Sequence, residues 1–157
     1  MAVLGKGQAH GACSLLHAAA LGYGASMALD LSITVRLLDK PSKRTVEDDD
    51  GVLDALLQSW IRAGHPLPDG HEIEDLHWGV KSAIPKKQGL KSSAATCIAA
   101  LRALGDATDV HPSNHELVAM AAEAQMASGV SLTGSIDDAW ACLEPGWKLV
   151  DLSLIHI

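Results

Sequence analysis

The stretch IPKKQGLKSSAATCIAALRAL, residues 84–104, carries more polar equipment than a helix start requires. Pro85, Lys86, Lys87, Gly89, Leu90 and Lys91 lead into the hydroxyls of Ser92 and Ser93, and a run of Ala, Ile and Leu at helical spacing follows. One capping residue suffices to begin a helix. A glycine-bearing loop that feeds a helix N-terminus does more, because it points several backbone N–H groups at one place. The helix dipole adds partial positive charge there. Serine hydroxyls donate to phosphate oxygens, or one can reach Mg²⁺, an ion that prefers oxygen ligands. Two readings stay open on these residues alone: an anion site, and a strand–loop–helix capped by Ser92 or Ser93.

A second chemical stretch is GVSLTGSIDDAWACL, residues 129–143. Its glycines bound a loop that enters a short helix near 137–143. A carboxylate at a helix start is well placed to orient a hydroxyl and take its proton. It is equally suited to cap the helix. Two adjacent carboxylates, Asp137 and Asp138, are more than one cap needs, so one is free for chemistry.

These residues need elements to hold them. Met27, Leu29, Leu31, Ile33, Val35 and Leu37 alternate with smaller or polar residues, the period of a half-buried strand over 27–38. Residues 2–9 read as a first strand. The acidic run from Glu47 to Asp50 reads as a solvated turn at a helix start. Leu53, Leu56, Leu57, Trp60 and Ile61 predict an amphipathic helix over 52–63, stopped at Gly64. Leu76, Trp78, Val80 and Ile84 suggest a strand running into Pro85. The helix after the serines turns Ala94, Cys97, Ile98, Leu101 and Leu104 inward. A capping box, Ser113-x-x-Glu116, opens another helix that runs to about Gly129. Strands and helices are mixed, without repeats.

The 157 residues suit one domain. At 48% apolar residues and no Phe, the core must be mostly aliphatic. A net charge of −7 argues against a nucleic-acid partner, since phosphate backbones are held by excess Lys and Arg. It leaves a local nucleotide site open. Cys13, Cys97 and Cys142, without a CxxC pair, fit a reduced cytoplasmic chain. No apolar run is long enough to predict a membrane span.

PKKQGLKSSAA resembles the phosphate-binding motif PxxxGLxSSAA of the GHMP kinases, with Pro85, Gly89, Leu90, Ser92, Ser93, Ala94 and Ala95 at the fixed positions. It is not a Walker A loop. GVSLTGSIDDAWAC resembles the TGAxDDAxAS segment of the archaeal-type shikimate kinases within that superfamily. HGACSLLHAAALGYGASMALDL is similar to their N-terminal region. The resemblance runs from about residue 5 to 151. It implies an α+β fold, the GHMP amino-terminal domain (ribosomal protein S5 domain 2-like), with the ferredoxin-like carboxy-terminal half missing and the lone half inactive. It implies ATP and Mg²⁺ as cofactors and transfer of the γ-phosphoryl group to the 3-hydroxyl of shikimate, a step toward chorismate and the aromatic amino acids. The alternatives are a homoserine or isoprenoid alcohol kinase, or a non-catalytic S5-like binding module. Pro85, Lys86, Gly89, Leu90, Lys91, Ser92, Ser93, Ala94 and Ala95 are implied to bind the nucleotide. Ser93 and Glu123 are implied to hold Mg²⁺, against a helix cap for Ser93 and an exposed helix carboxylate for Glu123. Asp137 is implied as the catalytic base, with Asp138 as cap or support.

The chain departs from the family at His17, where Asn is usual, at Tyr23, where Lys is common, and at Glu144-Pro145-Gly146, where a Gly pair is usual. The final LSLIHI, residues 152–157, matches the translation of a transposon-based sequencing adapter. That reading, preferred over an edge strand, leaves residues 1–151 as the natural domain. GKGQAHG at 5–11 reads as a turn rather than a second nucleotide site. His65, His71 and His77 lack zinc-ligand spacing and read as solvated loop histidines. Asp30 reads as a surface carboxylate, which the resemblance places near a substrate pocket.

Overall fold

The computed structural model describes residues 2–16, 22–43, 46, 48, 50–85 and 88–151. Lys86, His17 and the segment 152–157 lie outside them. The described elements run β1 (Val3–Leu16), β2 (Tyr23–Leu38), α1 (Val52–Arg62), a single 3₁₀ turn (Ile73–Asp75), β3 (His77–Ser82), α2 (Ser92–Thr108), α3 (Asn114–Ala127), α4 (Ile136–Leu143) and β4 (Trp147–Asp151). The strands form one antiparallel sheet centred on β2. β1 pairs along one edge of β2, from Val3↔Leu38 to Leu16↔Ala25. The other edge is shared: Ile33–Leu38 pairs with β3, and Tyr23–Met27 pairs with β4.

The alternation expected over 27–38 is present, and β2 begins four residues earlier, at Tyr23. β1 is longer than the 2–9 expectation. The GKGQAHG stretch is the middle of a strand and not a turn. Its glycines serve packing: a Cβ on Gly5 would lie 2.1 Å from the carbonyl oxygen of Ala103, and one on Gly7 would lie 2.0 Å from that of Ala99. Helix α2 therefore lies directly against the β1 backbone. Ala95, Ala99, Ala100 and Ala103 keep α2 thin on this and neighbouring sides, while Ile98, Leu101 and Leu104 fill the core with Ile33, Val35 and Leu37. Arg102 extends the attachment, donating to the carbonyls of Gln8 (2.8 Å) and Leu143 (3.0 Å).

Helix α1 is begun by Asp48, whose carboxylate accepts from the Val52 and Leu53 N–H groups at 3.0 and 3.1 Å. The acidic run thus supplies a half-buried cap rather than a wholly solvated turn, and burial raises the Asp48 carboxyl above its ordinary value. The capping box is present: Ser113 N–H donates to Glu116 Oε2 (2.7 Å), and Ser113 Oγ accepts from the Glu116 N–H. His65 is not a free loop side chain, since its ring lies 4.4 Å from that of Trp60. Asp30 is exposed on β2.

Two glycines give a direct test of the β1–α2 contact. Gly7→Ala must drive a methyl group into backbone and is expected to cost at least about 2–3 kcal/mol. Gly79→Ala in β3 meets only the Leu38 Cδ1 end at 3.3 Å and should be nearly neutral. Denaturant unfolding of both variants checks this; equal stabilities would contradict the backbone contact.

Candidate active site

The loop after β3 is anchored before it reaches α2. Ala12 N–H in β1 donates to the Leu90 carbonyl at 3.2 Å. Gly89 and Lys91 both take left-handed backbone conformations, with φ of 72° and 59°. Lys91, not a serine, is the residue preceding the first turn of α2, and its side chain does not cap that turn. The expectation of a Ser92 or Ser93 cap is therefore corrected. A cap must sit in extended backbone just before the helix, whereas both serines already lie within it. A helix start whose preceding residue supplies no side-chain cap can present its first N–H groups to an anion.

Two clefts flank this helix end. The larger, of about 860 Å³, is lined by Gly89, Leu90, Lys91, Ser92, Ser93 and Thr96 on the loop side, and by residues of β2, β3 and α1 opposite. The smaller, of about 340 Å³, is lined by Lys91, Ser93, Ala94, Gln125, Ser131, Thr133, Ser135 and Asp138, among others. Lys91 and Ser93 belong to both. Pro85 is exposed at the loop entrance. Ala94 and Ala95 are buried, where larger side chains would lift α2 from its neighbours.

Helix α4 brings Asp138 to the smaller cleft, with Asp137 buried beside it. Its start is Ser135, at φ 48° and without a side-chain cap of its own, and the Asp137 carboxylate takes backbone hydrogen bonds from Asp137 and Asp138 in the first turn. Asp138 is engaged on both oxygens. Oδ1 accepts from Ser26 Oγ (2.7 Å) and Ser14 Oγ (2.9 Å), and Oδ2 pairs with Lys91 Nζ (3.0 Å). Asp137, only 5% exposed, has Ser26 Oγ at 3.2 Å from Oδ2. Burial first, and the Asp138 charge second, raise the Asp137 carboxyl above its ordinary value of 3.8. Such a carboxylate is a stronger base than a solvated one. Cys97 and Cys142, beneath the loop, are held as neutral thiols; burial pushes Cys97 up to about 12 and Cys142 higher still.

Glu123 is placed differently. Its carboxylate turns toward α1, accepting from Ser59 Oγ (2.5 Å) and from Arg62 Nε (2.9 Å). It lines neither cleft. Gln125 reaches the smaller cleft instead, with Nε2 donating to the Ala121 and Gly134 carbonyls. Among the described residues no group of three His, Cys, Asp or Glu side chains converges as a ready metal cage. The residues that fit Mg²⁺ here are therefore few: the Ser93 hydroxyl fits, while Glu123 does not face the site.

The family profile of the GHMP kinases N terminal domain matches residues 51–146. The chain belongs to the GHMP kinase family. It is similar to the shikimate kinases of Halobacterium salinarum, 30% identical across 94% of this chain and 53% of the relative. It is likewise similar to that of Pyrococcus furiosus, 31% identical across 94% and 54%. Among solved structures, mevalonate kinase of Methanococcus jannaschii superposes with a TM-score of 0.74 at 15% identity, over 94% of this chain and 53% of that one. Mevalonate kinase from methicillin-resistant Staphylococcus aureus gives 0.63 at 21%, over 88% and 50%. The chain spans about half the length of these relatives. The fold is the α+β GHMP amino-terminal domain, as the resemblance implied. No helix among the described residues is long and apolar enough to cross a membrane.

Sequence reasoning missed Ser14 and Ser26, because single serines in strands carry no motif. Their signal was positional, since each faces the same side of the sheet as the carboxylates of α4.

The raised Asp137 carboxyl makes a stability prediction. The folded state holds this proton more tightly than the unfolded chain does. Its contribution is therefore present below pH 3.8 and is lost as pH rises through the higher folded value. Asp137→Asn removes the cost of burying the charge. The variant should be more stable than the parent at pH 7, with the gap closing toward pH 3. Urea unfolding at both pH values checks it; a less stable variant at pH 7 would overturn the assignment.

Proposed function

We propose that the chain is the ATP-binding part of a small-molecule kinase that transfers the γ-phosphoryl group of ATP to the 3-hydroxyl of shikimate, giving 3-phosphoshikimate and ADP. One observation carries the reading: a single pocket brings together the start of α2, Lys91 and Asp138 of α4, and Asp137 is buried directly beside that aspartate, joined to it through Ser26. The shikimate kinases it resembles supply the acceptor.

In this reading the residues divide the work as follows. The open N–H groups of α2, with Ser92 and Ser93, hold phosphate oxygens, and Gly89 lets the loop bend around them. Leu90 ties the loop to β1. Lys91 adds charge at the junction of the two clefts. Lys86 and Pro85 belong to the same loop in this reading. Asp137 orients the acceptor hydroxyl and takes its proton, because Asp138 is already committed to Lys91 and two serines. Mg²⁺ would be held in part by the Ser93 hydroxyl and would neutralise charge on the phosphate oxygens. The three cysteines are unpaired, which suits a cytoplasmic protein. Shikimate and ATP are the partners; the acidic chain is not read as a nucleic-acid or membrane binder.

Assay of the complete gene product with ATP and shikimate, homoserine or mevalonate tests this reading. ADP release is expected with shikimate. Turnover confined to another alcohol would replace the acceptor, and turnover with none would remove the kinase activity. Asp137→Asn should lower kcat by about two orders of magnitude or more while ATP affinity holds. Ser93→Ala should raise the Mg²⁺ concentration needed for half-maximal rate; an unchanged titration would take Ser93 out of the metal site.

A further inference from the structure

We propose that Ser26 is a positioning residue for this reaction: its buried hydroxyl ties Asp137 to the Lys91–Asp138 ion pair and fixes that carboxylate against the loop that opens α2. The inference rests on the kinase reading above. Ser26 is fully buried in β2. Its Oγ lies 3.2 Å from Asp137 Oδ2, 2.7 Å from Asp138 Oδ1 and 3.4 Å from Ser14 Oγ. Four elements meet at this point: β1 through Ser14, β2 through Ser26, α4 through both aspartates, and the start of α2 through Lys91.

A hydroxyl carries one proton. Asp138 keeps the donors Ser14 and Lys91 whether or not Ser26 serves it. Among the described residues, Ser26 is the one side-chain donor that reaches Asp137. Its Oγ lies nearer Asp138 Oδ1 (2.7 Å) than Asp137 Oδ2 (3.2 Å), so the one proton is shared between the two carboxylates, and through that sharing the position of Asp137 depends on the ion pair. An alanine keeps the Cβ and removes only the hydroxyl, so Ser26→Ala isolates what that hydroxyl does. The hydroxyl costs desolvation that its hydrogen bonds, the shortest of them to the carboxylates, offset.

The charged and titratable groups around Asp137 are few. Asp138 on its own helix raises its proton affinity, and Lys91 from α2 neutralises Asp138. β1 and β2 present hydroxyls, α3 presents the amide of Gln125, and Lys148 of β4 is engaged by Glu144 at the far end of α4. Two substitutions should then move Asp137 in opposite directions. Ser26→Ala removes a donor to the carboxylate and raises its titration midpoint. Asp138→Asn removes a like charge and lowers it.

The experiment uses the complete gene product. Carboxyl ¹³C NMR follows the Asp137 titration in the nucleotide-free protein, and kcat and KM are measured against pH. For Ser26→Ala we expect a higher midpoint, an acid limb of kcat moved the same way, a loss of about tenfold in kcat and an unchanged KM for ATP. For Asp138→Asn we expect a lower midpoint. Ser26→Thr, which keeps the hydroxyl, should restore the Asp137 midpoint of the parent. A Ser26→Ala protein whose midpoint and pH profile stay in place, with or without lost activity, overturns the proposal. So does an Asp138→Asn midpoint that fails to fall. If the complete protein phosphorylates no alcohol, the kinase reading fails by itself, and the NMR titration still decides whether Ser26 couples the two carboxylates.

Discussion

The contact on which the rest depends is backbone against backbone. Gly5 and Gly7 of β1 bring that strand within side-chain-free distance of α2, at the carbonyls of Ala103 and Ala99. No residue with a Cβ permits this approach. It fixes α2 on the sheet at its C-terminal half, and the Ala12–Leu90 hydrogen bond fixes the loop at its N-terminal end. Between these anchors α2 has little freedom to slide or tilt. Its N–H groups therefore present to the clefts from a rigid support, the condition for electrostatic stabilisation without reorganisation. The alanines of α2 serve the same end by letting the sheet, α1, α3 and α4 all close on one helix.

A buried charge cluster sits on this frame. Two carboxylates and one ammonium group leave an excess negative charge among Ser14, Ser26, Lys91, Asp137 and Asp138. The distribution is uneven: Asp138 holds the lysine and two hydroxyls, while Asp137 has one long side-chain hydrogen bond and the backbone N–H groups of its own turn. Like charges on adjacent residues cannot both ionise at no cost, and Asp137, which lacks the lysine, gains basicity from burial and from the Asp138 charge. The arrangement divides labour between residues of identical chemistry. Asp138 organises the lysine at the loop, and Asp137 retains proton affinity.

How much of this was legible in the sequence depended on whether a signal was local. The alternation over 27–38, the amphipathic helix at 52–63 and the Ser113–Glu116 capping box are short-range patterns, and each is present in the fold. The first strand was read short because GKGQAHGACS is rich in glycine and small residues. Its side-chain pattern is erased by the close approach of α2, so a packing requirement resembled a turn. β4 went unread because Trp147 and Leu149 are exposed rather than alternating into the core. The loop residues Gly89, Ser92 and Ser93 were legible as a motif, but their conformation was not. The chain has a lysine in a left-handed conformation where a capping serine was expected. Glu123 was chosen by its position ahead of the aspartates, and helical phase instead turns it toward Ser59 and Arg62.

The local rules fail where the chemistry is proposed. Among the described residues three non-glycine positions have positive φ: Lys91, Asp109 and Ser135. Two of them open the helices that face the smaller cleft. A left-handed residue with a Cβ costs about 1–2 kcal/mol, and a missing side-chain cap costs about another 1. Stability alone would favour glycine at 91 and an extended Ser or Asp before each helix. Glycine at 91 would remove the ammonium group that Asp138 holds. A side-chain cap would occupy the N–H groups that a phosphate needs. The strain at Lys91 and Ser135 is thus the cost of keeping two helix ends open beside a charged pair, and the close packing of β1 on α2 is what the fold sets against it.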